Sequence, residues 1–269
     1  VVRAFAKLFT WALAMGAIGC SPELPQWAGS GWRVASTPRN GAEGVDRQGR
    51  ITLALERLPF PNTVSNGTVS VKSGAVQAGF ELRFQPVTRE VWVLLQRPLE
   101  PVITYEIDLA GVSDLDGDTL PEPYHARFKT GTQLGKPDPD PKIDVPAVLG
   151  LLKQRCAQAG CHSEADEAGG LDLSKDTGIE ATARNMASQA YNSGTSGGDI
   201  GRGTLYLASP LIIEATRNRG SPERSYLIYK VLGEEHILRD PMPPPGHEPL
   251  TRAEIQLLSD WIYAGAPTL

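Results

Sequence analysis

The chain has 269 residues, about 1.8 times the ~150-residue prior for one domain, so its length predicts two modest domains. With 26 Lys and Arg against 31 Asp and Glu, and 41% hydrophobic residues, it has no basic footprint for nucleic acid and too much apolar content for wholesale disorder. Three cysteines are too few for a disulfide-dense scaffold, and the odd number sets one apart.

That one is Cys20. Arg3 and Lys7 precede an apolar run, Leu8 to Gly19, which ends directly at the cysteine. The run is too short to span a bilayer as a helix but suits a secretory leader. The small residues before Cys20 resemble a bacterial lipobox, with Gly19 in place and Ala17 where Leu is more usual. The resemblance implies a signal peptide over 1–19, lipidation at Cys20 and a tether over 20–36, so that the chain leaves the cytoplasm and is held at a membrane. An ordinary signal peptide cut elsewhere, or a signal anchor, is the alternative.

From 37 to 131 the apolar pattern has period two: Ile51-Thr52-Leu53-Ala54-Leu55, Val69-Ser70-Val71, Phe80 to Phe84, Val91 to Leu95, Thr104 to Leu109 and Ala126-Arg127-Phe128. Turn residues such as Asn40-Gly41, Asn66-Gly67 and Ser73-Gly74 separate the runs, which predicts an antiparallel β-sandwich. Its expected core includes Ile51, Leu53, Leu55, Val69, Val71, Leu82, Phe84, Val93, Tyr105, Ile107, Leu109 and Phe128. The entry Pro38-Arg39-Asn40-Gly41, Gly111-Val112-Ser113-Asp114 and the closing Phe128-Lys129-Thr130-Gly131 resemble a bacterial Ig-like domain of the S-layer type. Such domains serve as spacers or adhesion modules. Asp114, Asp116 and Asp118 alternate as calcium ligands can, but the downstream Glu and the spacing of an EF-hand loop are missing, so a solvated turn is expected. His125 has no partner motif.

Lys136-Pro137-Asp138-Pro139-Asp140-Pro141-Lys142 alternates proline with charge and predicts an extended linker over 132–143. Beyond it the period changes. Asp144 is placed to cap a helix carrying Val145, Val148, Leu149, Leu151 and Leu152, which runs into Cys156-Ala157-Gln158-Ala159-Gly160-Cys161-His162. A c-type haem site is normally C-x-x-C-H, in which two thiols take the porphyrin and the His binds iron; here the spacer is four residues. A Ser221-Pro222 helix start follows, then the stiff loop Asp240-Pro241-Met242-Pro243-Pro244-Pro245-Gly246, then a capping box, Thr251-Arg252-Ala253-Glu254, with Ile255, Leu258 and Ile262 in register.

This order resembles a class I cytochrome c domain over 144–269, most closely in Ser225-Tyr226-Leu227-Ile228-Tyr229-Lys230, Met242-Pro243-Pro244 and Trp261-Ile262-Tyr263-Ala264-Gly265-Ala266. The resemblance implies covalent haem c on Cys156 and Cys161, with iron held by His162 and Met242. A His/Met pair raises the potential. Met186 is a rival sulfur, and His236 and His247 are rival sixth ligands. The remaining alternatives for the cysteines are a Cys156–Cys161 disulfide in an oxidising compartment and a zinc site.

The leading expectation is therefore a multidomain exported lipoprotein, an N-terminal all-β Ig-like sandwich followed by a C-terminal all-α cytochrome c-like domain. It would sit in the periplasm or at the cell surface, pass single electrons to a redox partner protein and carry no catalytic residues. A non-redox surface or adhesion lipoprotein, without haem and with a Cys156–Cys161 disulfide, is the second reading. A haem enzyme is the third.

Overall fold

A computed structural model describes residues 32–137, 141–186, 213–215, 219–234, 237 and 240–268. Cys20, the glycine-rich stretch 194–198 and His236 lie outside the described residues.

The period-two segments form strands where the alternation places them. They are β1 Val34–Thr37, β2 Ala42–Val45, β3 Ile51–Leu55, β4 Val69–Ser73, β5 Val76–Gln77, β6 Phe80–Gln85, β7 Glu90–Leu95, β8 Thr104–Leu109 and β9 Tyr124–Thr130. They build two sheets, of order β1-β3-β7-β6 and β2-β9-β8-β4-β5, antiparallel except for the β2–β9 pair. The register stacks like with like: Leu53 pairs with Val91 and Phe84 in one sheet, Val71 with Ile107 and Ala126 in the other. Inward residues of both sheets therefore meet in one core, in which Leu53, Val71, Val91, Val93, Ile107 and Leu109 are fully buried. Of the expected core, Leu82 is half-buried and packs at its margin.

The aspartate loop is held from inside rather than solvated throughout. Asp114 is buried, accepts the Asp116 and Asp118 N–H groups at 3.0 and 2.9 Å, and meets the Arg57 guanidinium at 2.7 Å. The loop's cation is an arginine of the same chain.

The second half corrects the expectation of an all-α cytochrome domain. It holds short helices, α1 Val145–Arg155, α2 Asp176–Thr182, α3 Tyr226–Leu232 and α4 Arg252–Tyr263, separated by long irregular segments, while the described chain is mainly β-sandwich. The predicted caps are present. Asp144 accepts the Ala147 N–H at 3.0 Å, and Thr251 and Glu254 make the reciprocal capping box.

These helices do not hang from a free spacer. Arg47 donates its N–H to the Gln133 carbonyl, and a Cβ at Gly135 would come within 2.8 Å of Asp46, so the chain still follows the sandwich as it leaves it. Helix α4 lies on the outward face of β6: Gln256 and Ser259 reach Gln85, and Asp260 reaches Arg83 at 3.4 Å. Gln85 and Arg83, which alternation alone would send to solvent, are consequently buried. Two apolar side chains are exchanged across this contact. Tyr229 of α3 belongs to the sandwich core, and Val87 of the β6–β7 turn belongs to the helical core around Leu152, Ile179, Leu258, Trp261 and Ile262.

Trp261 is fully buried and donates its indole N–H to the Pro267 carbonyl at 2.8 Å. Trp261→Ala is expected to cost about 3–5 kcal/mol of unfolding free energy, read from urea titration.

Candidate functional site

The strongest chemical constellation in the sequence surrounds the C-terminal end of α1. Cys156 is the C-cap, its N–H bonded to Leu152 O at 2.9 Å. The chain then turns back on itself: Cys161 N–H reaches Gln158 O at 2.9 Å, and His162 N–H reaches Cys156 O at 3.1 Å. Gly160 makes the reversal with φ +76, in space open enough for a Cβ, so the left-handed backbone is the reason for a glycine there. Its N–H and the Ser163 hydroxyl both bond Asp166, holding that carboxyl below the usual carboxylate range.

His162 is half-buried. Its Nδ1 lies 2.9 Å from the Ala168 carbonyl, which can only accept, so Nδ1 carries the proton and Nε2 the lone pair. Burial pushes its pKa down, the carbonyl opposes this, and the nearby Lys230 ammonium lowers it further. Cys156 packs against the apolar helical core, and burial pushes its thiol up to about 11. It is thus a neutral thiol at physiological pH, with neither the charge of a ready nucleophile nor that of a metal ligand.

Met242 stands in the proline loop and packs, half-buried, against the same apolar core. Lys230 positions that loop: its Nζ donates to Asp240 O at 2.6 Å, and its carbonyl accepts the Met242 N–H at 2.9 Å. Arg155 ties in the following turn by donating to the Glu248 and Pro249 carbonyls at 3.0 Å each. Lys230 and Arg155 escaped the sequence reading of the site. The signal for Lys230 was present, since it is the one charge in the otherwise apolar run from Tyr226 to Leu232.

Chain folding therefore brings Cys156, Cys161 and His162 into one loop, with Lys230 linking His162 to the Met242 segment. Met186 is 46% exposed and His247 is exposed, away from such packing.

The residues do not fit a haem. Among the described residues, no group of three or more His, Cys, Asp and Glu side chains is gathered to hold a metal ion, which also removes the zinc reading. Cys156 and Met242 both pack on a core already filled by Leu152, Leu171, Leu173, Ile179, Leu258 and Trp261, where a porphyrin would need a slot. Covalent haem c, the His162/Met242 iron pair, electron transfer and the redox partner are accordingly withdrawn, and the motif is a closed loop at the end of a helix.

No protein-family model and no curated protein match the chain. Solved structures do resemble it in part. The N-terminal part of the bacterial S-layer protein SbsC is 13% identical with a TM-score of 0.30, covering 36% of this chain and 23% of that one. The chain thus spans about a quarter of that S-layer structure. PcoC, a methionine-rich copper resistance protein from Escherichia coli, is 15% identical with a TM-score of 0.31, covering 38% of this chain and 99% of that one. CopC from Methylosinus trichosporium OB3b is 14% identical with a TM-score of 0.31, covering 38% and 94%. Among the described residues no helix is long and apolar enough to cross a membrane.

With Cys156 and Cys161 kept reduced, alkylation of Cys156 at pH 8 is expected to be slow, since roughly a thousandth of such a thiol is ionised there. Its rate should rise steeply toward pH 10, as followed by peptide mass mapping.

Proposed function

We propose that the chain is an exported, non-redox surface protein, a β-sandwich carrying a docked helical extension whose Cys156 and Cys161 are joined as a disulfide. The observation that carries this reading is the His162 N–H bond to the Cys156 carbonyl. With standard backbone dimensions it limits the separation of the two cysteine Cα atoms to about 8 Å. That is at the edge of the range a disulfide spans, so a small closure of the loop suffices. The basic residues and apolar run before Cys20 support export to a compartment where such a bond persists.

In this reading 1–19 is a leader, Cys20 the lipidated residue and 20–36 a tether. The sandwich over 37–131 is a spacer or adhesion module, and 132–143 leads to the helical part over 144–269. Oxidation of the two thiols passes two electrons and two protons to the compartment's thiol oxidant. The staple then fixes the end of α1, to which Arg155 ties the loop before α4.

The test is intact and peptide mass measurement on protein recovered from the envelope of a bacterium able to mature c-type cytochromes. The 156–161 peptide is expected two hydrogens lighter than the reduced form, with no porphyrin and with acyl chains on Cys20. Free thiols at both positions would sink the disulfide, and an unmodified Cys20 would sink the anchor. Replacing both cysteines by alanine should lower stability by about 2 kcal/mol under oxidising conditions, the value for a loop this short.

A further inference from the structure

The contact between the sandwich and the helical part is built around a charged group rather than an apolar one. Arg83, on β6, has a side chain only 5% exposed. Its guanidinium lies over the Tyr263 ring of α4 at 3.2 Å and over Trp92 of β7 at 5.0 Å. Trp92 is stacked on its other side by Arg50 at 3.9 Å, and Tyr263 is approached by Arg219 at 5.5 Å, itself paired with Glu81. The seam is thus a ladder of cations and aromatic rings running from one half of the protein to the other.

Two carboxyl groups enter this seam. Asp260 of α4 faces Arg83 at 3.4 Å and accepts from Gln256 at 3.0 Å. Glu223 stands in the single 3-10 turn Pro222–Arg224, which packs against β6. The groups facing Glu223 are Arg83 from β6, Arg224 from its own turn and Glu214 from the segment alongside; Glu214 and Arg224 pair at 3.4 Å. The turn is pinned from below, because Tyr229 donates its hydroxyl to the Glu223 carbonyl at 2.6 Å while its ring sits in the sandwich core.

We propose that this seam is a proton-controlled latch, in which Glu223 is a neutral acid when the helical part is closed on the sheet and a carboxylate when it loosens. Arg83 faces both acids, and with Asp260 already beside it, the second negative charge brought by Glu223 is poorly compensated and close to Glu214. Burial raises the Glu223 pKa from the ordinary 4.5 to about 7, with Glu214 adding to the rise and Arg224 and Arg83 opposing it. Asp260 is raised in the same sense by its burial.

The sign follows from linkage. A group whose pKa is higher in the closed state stabilises closure fully below its open-state value, and loses that contribution as pH rises through the closed-state value. The latch therefore loosens between about pH 4.5 and 7 and changes little above, with the opening equilibrium rising at least about tenfold between pH 5 and 7. It operates whether or not Cys156 and Cys161 are bonded, so its failure is separate from failure of the disulfide.

The experiment is amide hydrogen exchange on the whole chain, corrected for intrinsic rates, following α4 and β6 from pH 4.5 to 8.5. Protection in both elements should fall by about tenfold or more toward pH 7 in the wild type and vary little in E223Q, with D260N keeping most of the dependence. Identical profiles for wild type and E223Q would overturn the proposal, as would loss of the dependence in D260N alone. Carboxyl-carbon NMR of the wild type gives a reading that needs no variant. A Glu223 midpoint in the range of 6 to 8 supports the latch, and one in the ordinary glutamate range overturns it.

Discussion

The architecture depends on one exchange of side chains. Tyr229 leaves a helix to fill the sandwich core, and Val87 leaves a strand turn to fill the helical core. Neither would be stable in water, and each removes apolar area that the other half would otherwise expose. The burial of Arg83 follows from this exchange. Once α3 and α4 are held against β6, the outward face of that strand has no access to solvent, and its charge must be met by rings and carboxylates from the opposite side.

Strands and cores were legible because their signals are local. Alternation placed β3, β4, β6, β7, β8 and β9, and the capping residues Asp144 and Thr251 marked the starts of α1 and α4. The docking was not legible. Glu81, Arg83 and Gln85 alternate with Phe80, Leu82 and Phe84 as in any half-solvated strand, and nothing in that spacing tells water from a covering helix. The partners of Arg83 lie about 180 residues onward, beyond the reach of any periodicity argument.

The cysteine motif failed for a different reason. Spacing records which residues are near one another along the chain, and here it did predict a reversed loop at Gly160 with Cys156, Cys161 and His162 together. It carries no information about the volume beside that loop. Leucines, Ile179 and Trp261 occupy that volume, and the thiol of Cys156 is drawn into it. A residue such as Lys230 shows the converse. Its type looks like a surface charge, yet it is 8% exposed and holds the methionine loop by its ammonium and its carbonyl.

The lengths of the strands at the margins of the two sheets bear on how the protein can live crowded among copies of itself. Three of the four bordering strands are brief: β1 and β2 have four residues each and β5 has two. The fourth, β6, lies against the turn at Glu223. A neighbouring molecule finds little continuous backbone on which to add a strand, so the sandwich can be displayed at high local density without seeding edge-to-edge aggregates.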